Sequence, residues 1–180
     1  MIKILTAQIG QYKKSSILAP LFTVLEVFME VLIPMLMAYI IDRGIEAGNL
    51  SNVLKYGGLM IVMAMFSLCF GALAGKYAAH ASTGFACNVR DGMYEKIQQF
   101  SFANIDRYST AGLVTRLTTD VTNLQNAYQM ILRMCVRAPV TLVCALVMSF
   151  AIHARLSLIF VVAIPLLSVV VFGVMVITRP

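Results

Sequence analysis

RYSTAGLVTRLTTDVTNLQN, residues 107–126, is the stretch on which the folding of the whole chain turns. Its twenty residues are mostly Thr, Asn, Gln, Ser and charge, yet the 180-residue chain is 60% hydrophobic and only 12% charged. So few charges cannot cover a soluble surface, and the balance fits a polytopic membrane protein. The polar stretch is then a segment that leaves the bilayer between helices that cross it.

Working outward, four apolar runs flank it, at 16–41, 53–75, 136–152 and 156–177. A helix crosses the hydrocarbon in about 20 residues, and the third run reaches that length by borrowing Met134 and Cys135. Ahead of the first run, Ile2, Leu5, Ile9 and Tyr12 recur at spacings of three and four. That pattern predicts a short amphipathic elbow over 1–15, lying along the membrane surface. The links 42–52 and 153–155 are short, whereas 76–137 carries seven Lys/Arg and four Asp/Glu. With Lys3, Lys13 and Lys14 before the first run, the positive-inside rule puts the N-terminus and the long section in the cytoplasm.

The long section is patterned, not loop-like. Phe85, Val89, Met93, Ile97 and Phe100 form one apolar stripe, and Leu117, Val121, Leu124, Tyr128 and Ile131 form another. No proline occurs between Met35 and Ala138. The second helix is therefore expected to continue to about residue 105 and the third to occupy 114–152. Each extends into the cytoplasm by about 35–45 Å. The tip falls at 106–113, where Asp106, Ser109 and Thr110 cap helix ends and Gly112 eases the turn. The expected fold is all-α, with four transmembrane helices and a long cytoplasmic hairpin between helices 2 and 3.

Basic residues sit at the ends of apolar runs and form no block, which argues against nucleic-acid binding. Cys69, Cys87, Cys135 and Cys144 contain no CxxC pair and read as small buried hydrophobes, not as metal ligands. GALAGK, residues 71–76, fails as a P-loop: three residues separate its glycines where four are needed, and Tyr77 follows the lysine. Gly71, Gly75 and Ala79 read instead as a small-residue packing seam.

Glu26 and Glu30 lie four apart within the first run, on one helix face. Two readings stand: an acidic wall for cationic substrate, or a structural pair bonded to neighbouring helices. Arg137 is the tempting partner, but counting from the start of the third run places it about 13 Å shallower than Glu26.

STAGLVTRLTTDVTNLQN followed by LRMCVRAPV resembles the first intracellular loop and third helix of ATP-binding cassette (ABC) exporters with six membrane helices per half. YIIDRGIEAG and ARLSLIFVVAIPLL are similar to the segments that follow the first helix and open the fourth. The subgroup most resembled is bacterial multidrug exporters that work as heterodimers. The resemblance implies that Tyr108, Ser109, Thr110, Ala111, Gly112 and Leu113 form a coupling helix docking on a nucleotide-binding domain, with Arg116 and Asp120 matching the Arg and Asp that follow it. Turn chemistry alone also accounts for these residue types. Further implications are a bacterial cytoplasmic membrane, a second half-transporter as partner, and a cargo of drugs, lipids or other amphipathic compounds. ATP and Mg would bind at a nucleotide-binding domain outside these 180 residues, which hold no catalytic residue of their own. The rival class is a stand-alone four-helix scaffold or small channel whose hairpin is a docking site.

Overall fold

The computed structural model describes residues 8–100 and 109–152, together with Ala163, Pro165, Leu167 and Val174. Residues 1–7 of the expected elbow, residues 106–108 of the expected tip with 101–105 before it, and nearly all of the fourth run at 156–177 lie outside the described residues. Every described element is helical, and three helices are long and apolar enough to cross a membrane: Gly10–Ile45, Leu50–Gln98 and Ala111–Phe150. The chain divides into two compact units, Met1–Ala138 and Pro139–Pro180. The packing that follows belongs to the first.

Helix α1, Lys13–Ile40, grows out of a 3₁₀ turn at Gly10–Tyr12 and ends in a π turn at Ile41–Ile45. In that π turn the Glu46 N–H donates to the Ile41 carbonyl, five residues back. Gly48, at φ +60, then reverses the chain. Asn49 starts α2 by accepting from the Ser51 and Asn52 N–H groups through its side chain. Helix α2 runs unbroken from Leu50 to Gln98, 49 residues or about 74 Å.

The first two helices pack antiparallel in one register along their length. Tyr12 meets His80, Phe22 stacks on Tyr77 at 5.5 Å and Tyr39 stacks on Tyr56 at 5.9 Å. Close approach depends on small residues: Ser67, Ala74, Ala78, Ala81, Ser82 and Ala86 of α2 are buried. This corrects the expected seam, since Ala79 is exposed. A strict spacing of four drifts about 40° per step around a helix of 3.6 residues per turn, so the real seam alternates threes and fours. The N-terminal turn also docks on α2. The Asn88 side-chain amide donates to the Gln8 carbonyl at 2.7 Å, and the Tyr12 ring lies on Gly84, where any Cβ would collide with it.

After residue 108 comes a short helix α3, Thr110–Thr115, then a π turn at Arg116–Asp120, then α4, Val121–Ile152. Arg90 of α2 donates to the Leu117 carbonyl and the Thr122 hydroxyl, and Gln125 donates to Thr83. Phe85 packs against Tyr128 with ring centroids 4.7 Å apart. The core joins all three long helices through Ala19, Ala78, Ala81 and Leu132, with Tyr77 and Tyr128 against them. The α4 stripe holds through Tyr128 and then shifts: Leu132 is buried and Ile131 is exposed.

Apolar side chains such as Leu54, Ile61, Met65 and Leu68 face outward from α2. Water would not tolerate that stripe, whereas lipid solvates it. The cysteines need the same correction, because Cys69, Cys87 and Cys135 are exposed and Cys144 is half-buried. Cys69 and Cys135 lie on outward faces of the spans, where an apolar thiol needs no protein neighbour, and Cys87 on the long arm donates to the Asp91 carboxylate.

Candidate functional site

Two polar places interrupt the apolar framework. The first opens at Ser109, whose φ of 52 and ψ of 141 are strained for a residue with a Cβ. Its hydroxyl accepts from the Gly112 N–H at 3.2 Å, and its carbonyl accepts from the Leu113 N–H. The cap contributes about 1 kcal/mol, which offsets part of a strain of about 1–3 kcal/mol. Thr115, Thr118 and Thr122 turn their hydroxyls back to the carbonyls of Ala111, Val114 and Thr118. Ser109 and Ala111 are exposed and Gly112 is half-buried. Met93, Lys96, Ile97 and Phe100 at the end of α2 enclose a cavity of about 200 Å³ with Leu113 and Arg116. Tyr108 lies outside the described residues, and so do the surroundings of the Thr110 side chain.

Arg116 and Asp120, although four apart, do not pair with each other; the ion pairs among the described residues are Arg137's. They occupy the two ends of the π turn, where the Val121 N–H donates to the Arg116 carbonyl five residues back. An i→i+5 turn no longer stacks side chains four apart.

The second place lies between the long helices. Arg137 Nη1 donates to Glu26 Oε1 at 2.9 Å, and Nη2 donates to both oxygens of Glu30 at 2.8 Å. This overturns the expectation that Arg137 sits too shallow to reach Glu26. The Tyr128 hydroxyl donates to Ser16 Oγ at 2.9 Å, so Tyr128 stands level with the start of the first apolar run. Arg137 is nine residues beyond Tyr128 and Glu26 ten beyond Ser16, on helices running the same way. The count failed because it began the third span at its first unbroken apolar residue, and the helix enters the membrane earlier.

Glu26 is 7% exposed, and its Oε2 is buried without a hydrogen-bond partner among the described residues. Gly71 makes room for it, since a Cβ there would stand 2.9 Å from Glu26 Oε1. Glu26, Glu30, Ser67 and Gly71 border a cavity of about 450 Å³, which Arg133 also lines. A larger cavity of about 580 Å³ lies against α4, lined by Thr23, Asn126, Gln129, Arg133 and Arg137. Met130 and Met134 form its apolar walls. The sequence signal for this cluster was present: opposite charges inside apolar helices seek one another.

The sequence pattern of the ABC transporter transmembrane region matches residues 16–180. The chain belongs to that family. A Bacillus subtilis protein named as the uncharacterized ABC transporter ATP-binding protein YfiB is 38% identical over 158 residues, covering 86% of this chain and 28% of the relative. An ATP-dependent lipid A-core flippase of Pseudoalteromonas translucida is 28% identical over 170 residues, 94% of this chain and 29% of the relative. An uncharacterized ABC transporter ATP-binding protein of Mycobacterium tuberculosis is 26% identical over 171 residues, 94% of this chain and 29% of the relative. The ABC transporter transmembrane region described here thus spans less than a third of the length of these relatives.

Proposed function

We propose that this transmembrane region is the membrane-spanning part of an ATP-driven exporter of amphipathic compounds, and that residues 106–113 carry the motion of a nucleotide-binding domain into it. The observation that carries the reading is the length of α2: at about 74 Å it is more than twice a hydrocarbon core of about 30 Å. Its apolar run ends by Gly75, and Lys76, Arg90 and Lys96 follow, so the surplus belongs to the cytoplasmic side. The N-terminus is then cytoplasmic, 42–52 faces outside, and a fourth helix over 156–177 completes the second membrane hairpin. The membrane is the bacterial cytoplasmic membrane. ATP and Mg bind at the nucleotide-binding domain, and a different half-transporter supplies the facing half. The flippase among the relatives supports a lipid or another amphipathic compound as cargo.

The tip suits docking. Ser109 and Ala111 are small and exposed, the strained cap fixes the entry of the chain into α3, and Asp120 faces out at the end of the π turn that follows α3. Glu26 and Glu30 fit a structural role better than an open acidic wall, because Arg137 already holds both. The test is Ala111→Trp or Gly112→Trp in the full-length protein, with transport and substrate-stimulated ATP hydrolysis measured in the same vesicles. Membrane insertion and substrate binding should persist. Transport and stimulation should fall about tenfold or more, within the usual range of coupling energies. Wild-type transport and stimulation in both variants would reduce the tip to a turn.

A further inference from the structure

We propose that the larger cavity on α4 is a binding site for the headgroup of an anionic phospholipid, with Arg133 as its cationic anchor. Arg137 is committed to Glu26 and Glu30. Arg133, one turn earlier, has no hydrogen-bond or ion-pair partner among the described residues, yet it lines both membrane-level cavities. On α2, a Cβ added at Gly75 would stand 3.8 Å from Arg133 Nη1. A guanidinium at this level is costly unless it meets an anion or reaches the interface.

The remaining lining says which anion. Asn126 and Gln129 line the same cavity, and the N–H groups of their side-chain amides suit phosphate oxygens. The Thr23 hydroxyl is already spent on the Ala19 carbonyl. Among the described residues no carboxylate borders this cavity, so a choline or ethanolamine ammonium finds no counter-charge in it. Met130 and Met134 are 56% and 61% exposed, a yielding apolar wall along which an acyl chain can lie. Depth agrees. Arg133 is five residues, about 7.5 Å, beyond Tyr128, which is level with Ser16 at the start of the first apolar run. A side chain that snorkels back from there meets the headgroup layer. A free anion in water has no use for the methionine walls, which is why a lipid is favoured.

The site rests on the membrane placement of α1 and α4, not on export, so its failure and the failure of tip coupling are separate results. The full-length protein is reconstituted in nanodiscs of equal parts phosphatidylglycerol and phosphatidylcholine, and retained lipid is read by native mass spectrometry. Wild type should retain phosphatidylglycerol several-fold over phosphatidylcholine. Arg133→Gln should abolish the preference, Arg133→Lys should keep part of it, and Lys55→Gln, on the first turns of α2, should leave it intact. Met130→Trp keeps the charge but fills the cavity, and should abolish it as well. Full preference in Arg133→Gln or in Met130→Trp overturns the site. Equal loss in Lys55→Gln makes the effect one of general charge and overturns it too. Displacement of phosphatidylglycerol by inorganic phosphate as effectively as by a short-chain phosphatidylglycerol would assign the cavity to a soluble anion and end the lipid proposal.

Discussion

Arg137 serves two carboxylates with one guanidinium, and one oxygen of Glu26 has no hydrogen-bond partner among the described residues. The asymmetry decides what each substitution does. Removing Glu30 leaves a one-to-one pair, whereas removing Arg137 strands a buried anion, the expensive case. Arg137→Met should therefore lower the thermal midpoint of the detergent-solubilised full-length protein clearly more than Glu30→Gln. Stranding a fully buried charge costs about 3–5 kcal/mol, and the partial exposure of Arg137 brings the expected loss to about 2 kcal/mol. Adding Glu26→Gln and Glu30→Gln to Arg137→Met should recover part of it, because the stranded charge is gone. No recovery would mean that the guanidinium acts by packing. Ser109 obeys a different balance, with strain and cap in one residue. Ser109→Gly relieves the strain and loses only a few tenths of a kcal/mol of capping, whereas Ser109→Ala keeps the strain and loses about 1 kcal/mol. Thermal midpoints should rank glycine above alanine; the reverse order would remove strain from the account of the tip.

At the scale of elements, the register of α4 against α1 is the finding that periodicity did not supply. It can be tested by cross-linking in a background without native cysteines. Ser16→Cys should join Tyr128→Cys through a short bifunctional thiol reagent. Ser16→Cys should not join Val136→Cys, eight residues and about 12 Å further along α4. Efficient cross-linking of the second pair alone would restore the register counted from the apolar run. The elements themselves were legible. The apolar stripe at Phe85, Val89, Met93, Ile97 and Phe100 lies buried or half-buried on α2, and Leu117 to Tyr128 does the same on the other arm. What failed shares one cause. Where lipid is the solvent, an apolar residue is at home on either side of a helix, so hydrophobicity marks the span but not the packed face. Ile131, Cys69 and Cys135 therefore turned out exposed, and Ala79 and Cys87 are exposed as well, near and beyond the edge of the span. Arg133 and Arg137 were counted as charges outside the membrane for the complementary reason, since a composition window cannot see a carboxylate on another helix. The π turn at Arg116–Asp120 left no mark in residue types at all.

At the scale of the molecule, helix lengths and charge positions together set which way the chain crosses. Helix α2 begins at Leu50, beside a turn capped by Asn49, and its far end pairs with the arm that starts at Ser109. One end must lie near the bilayer and the other tens of ångströms away, because a 74 Å helix, by an estimate of about 1.5 Å per residue, cannot be hidden in the hydrocarbon. The proposed direction rests on Lys13, Lys14, Lys76, Arg90 and Lys96 at the end of the long arm, against Arg43 and Lys55 at the other. Treating Arg133 and Arg137 as membrane charges weakens this bias without reversing it. Single cysteines at Asn49 and Ser109 test the result in intact cells with a membrane-impermeant thiol reagent. Cys69, Cys87 and Cys135 must be replaced first, because all three are exposed. Asn49→Cys should label in intact cells and Ser109→Cys only after permeabilisation. The Asn49 site sits in a turn with an exposed residue on each side, so access does not depend on how the helices pack. Labelling of Ser109→Cys in intact cells, with Asn49→Cys silent until permeabilisation, would invert the chain. It would place the tip where no nucleotide-binding domain can reach it, and the coupling reading would fall with the orientation.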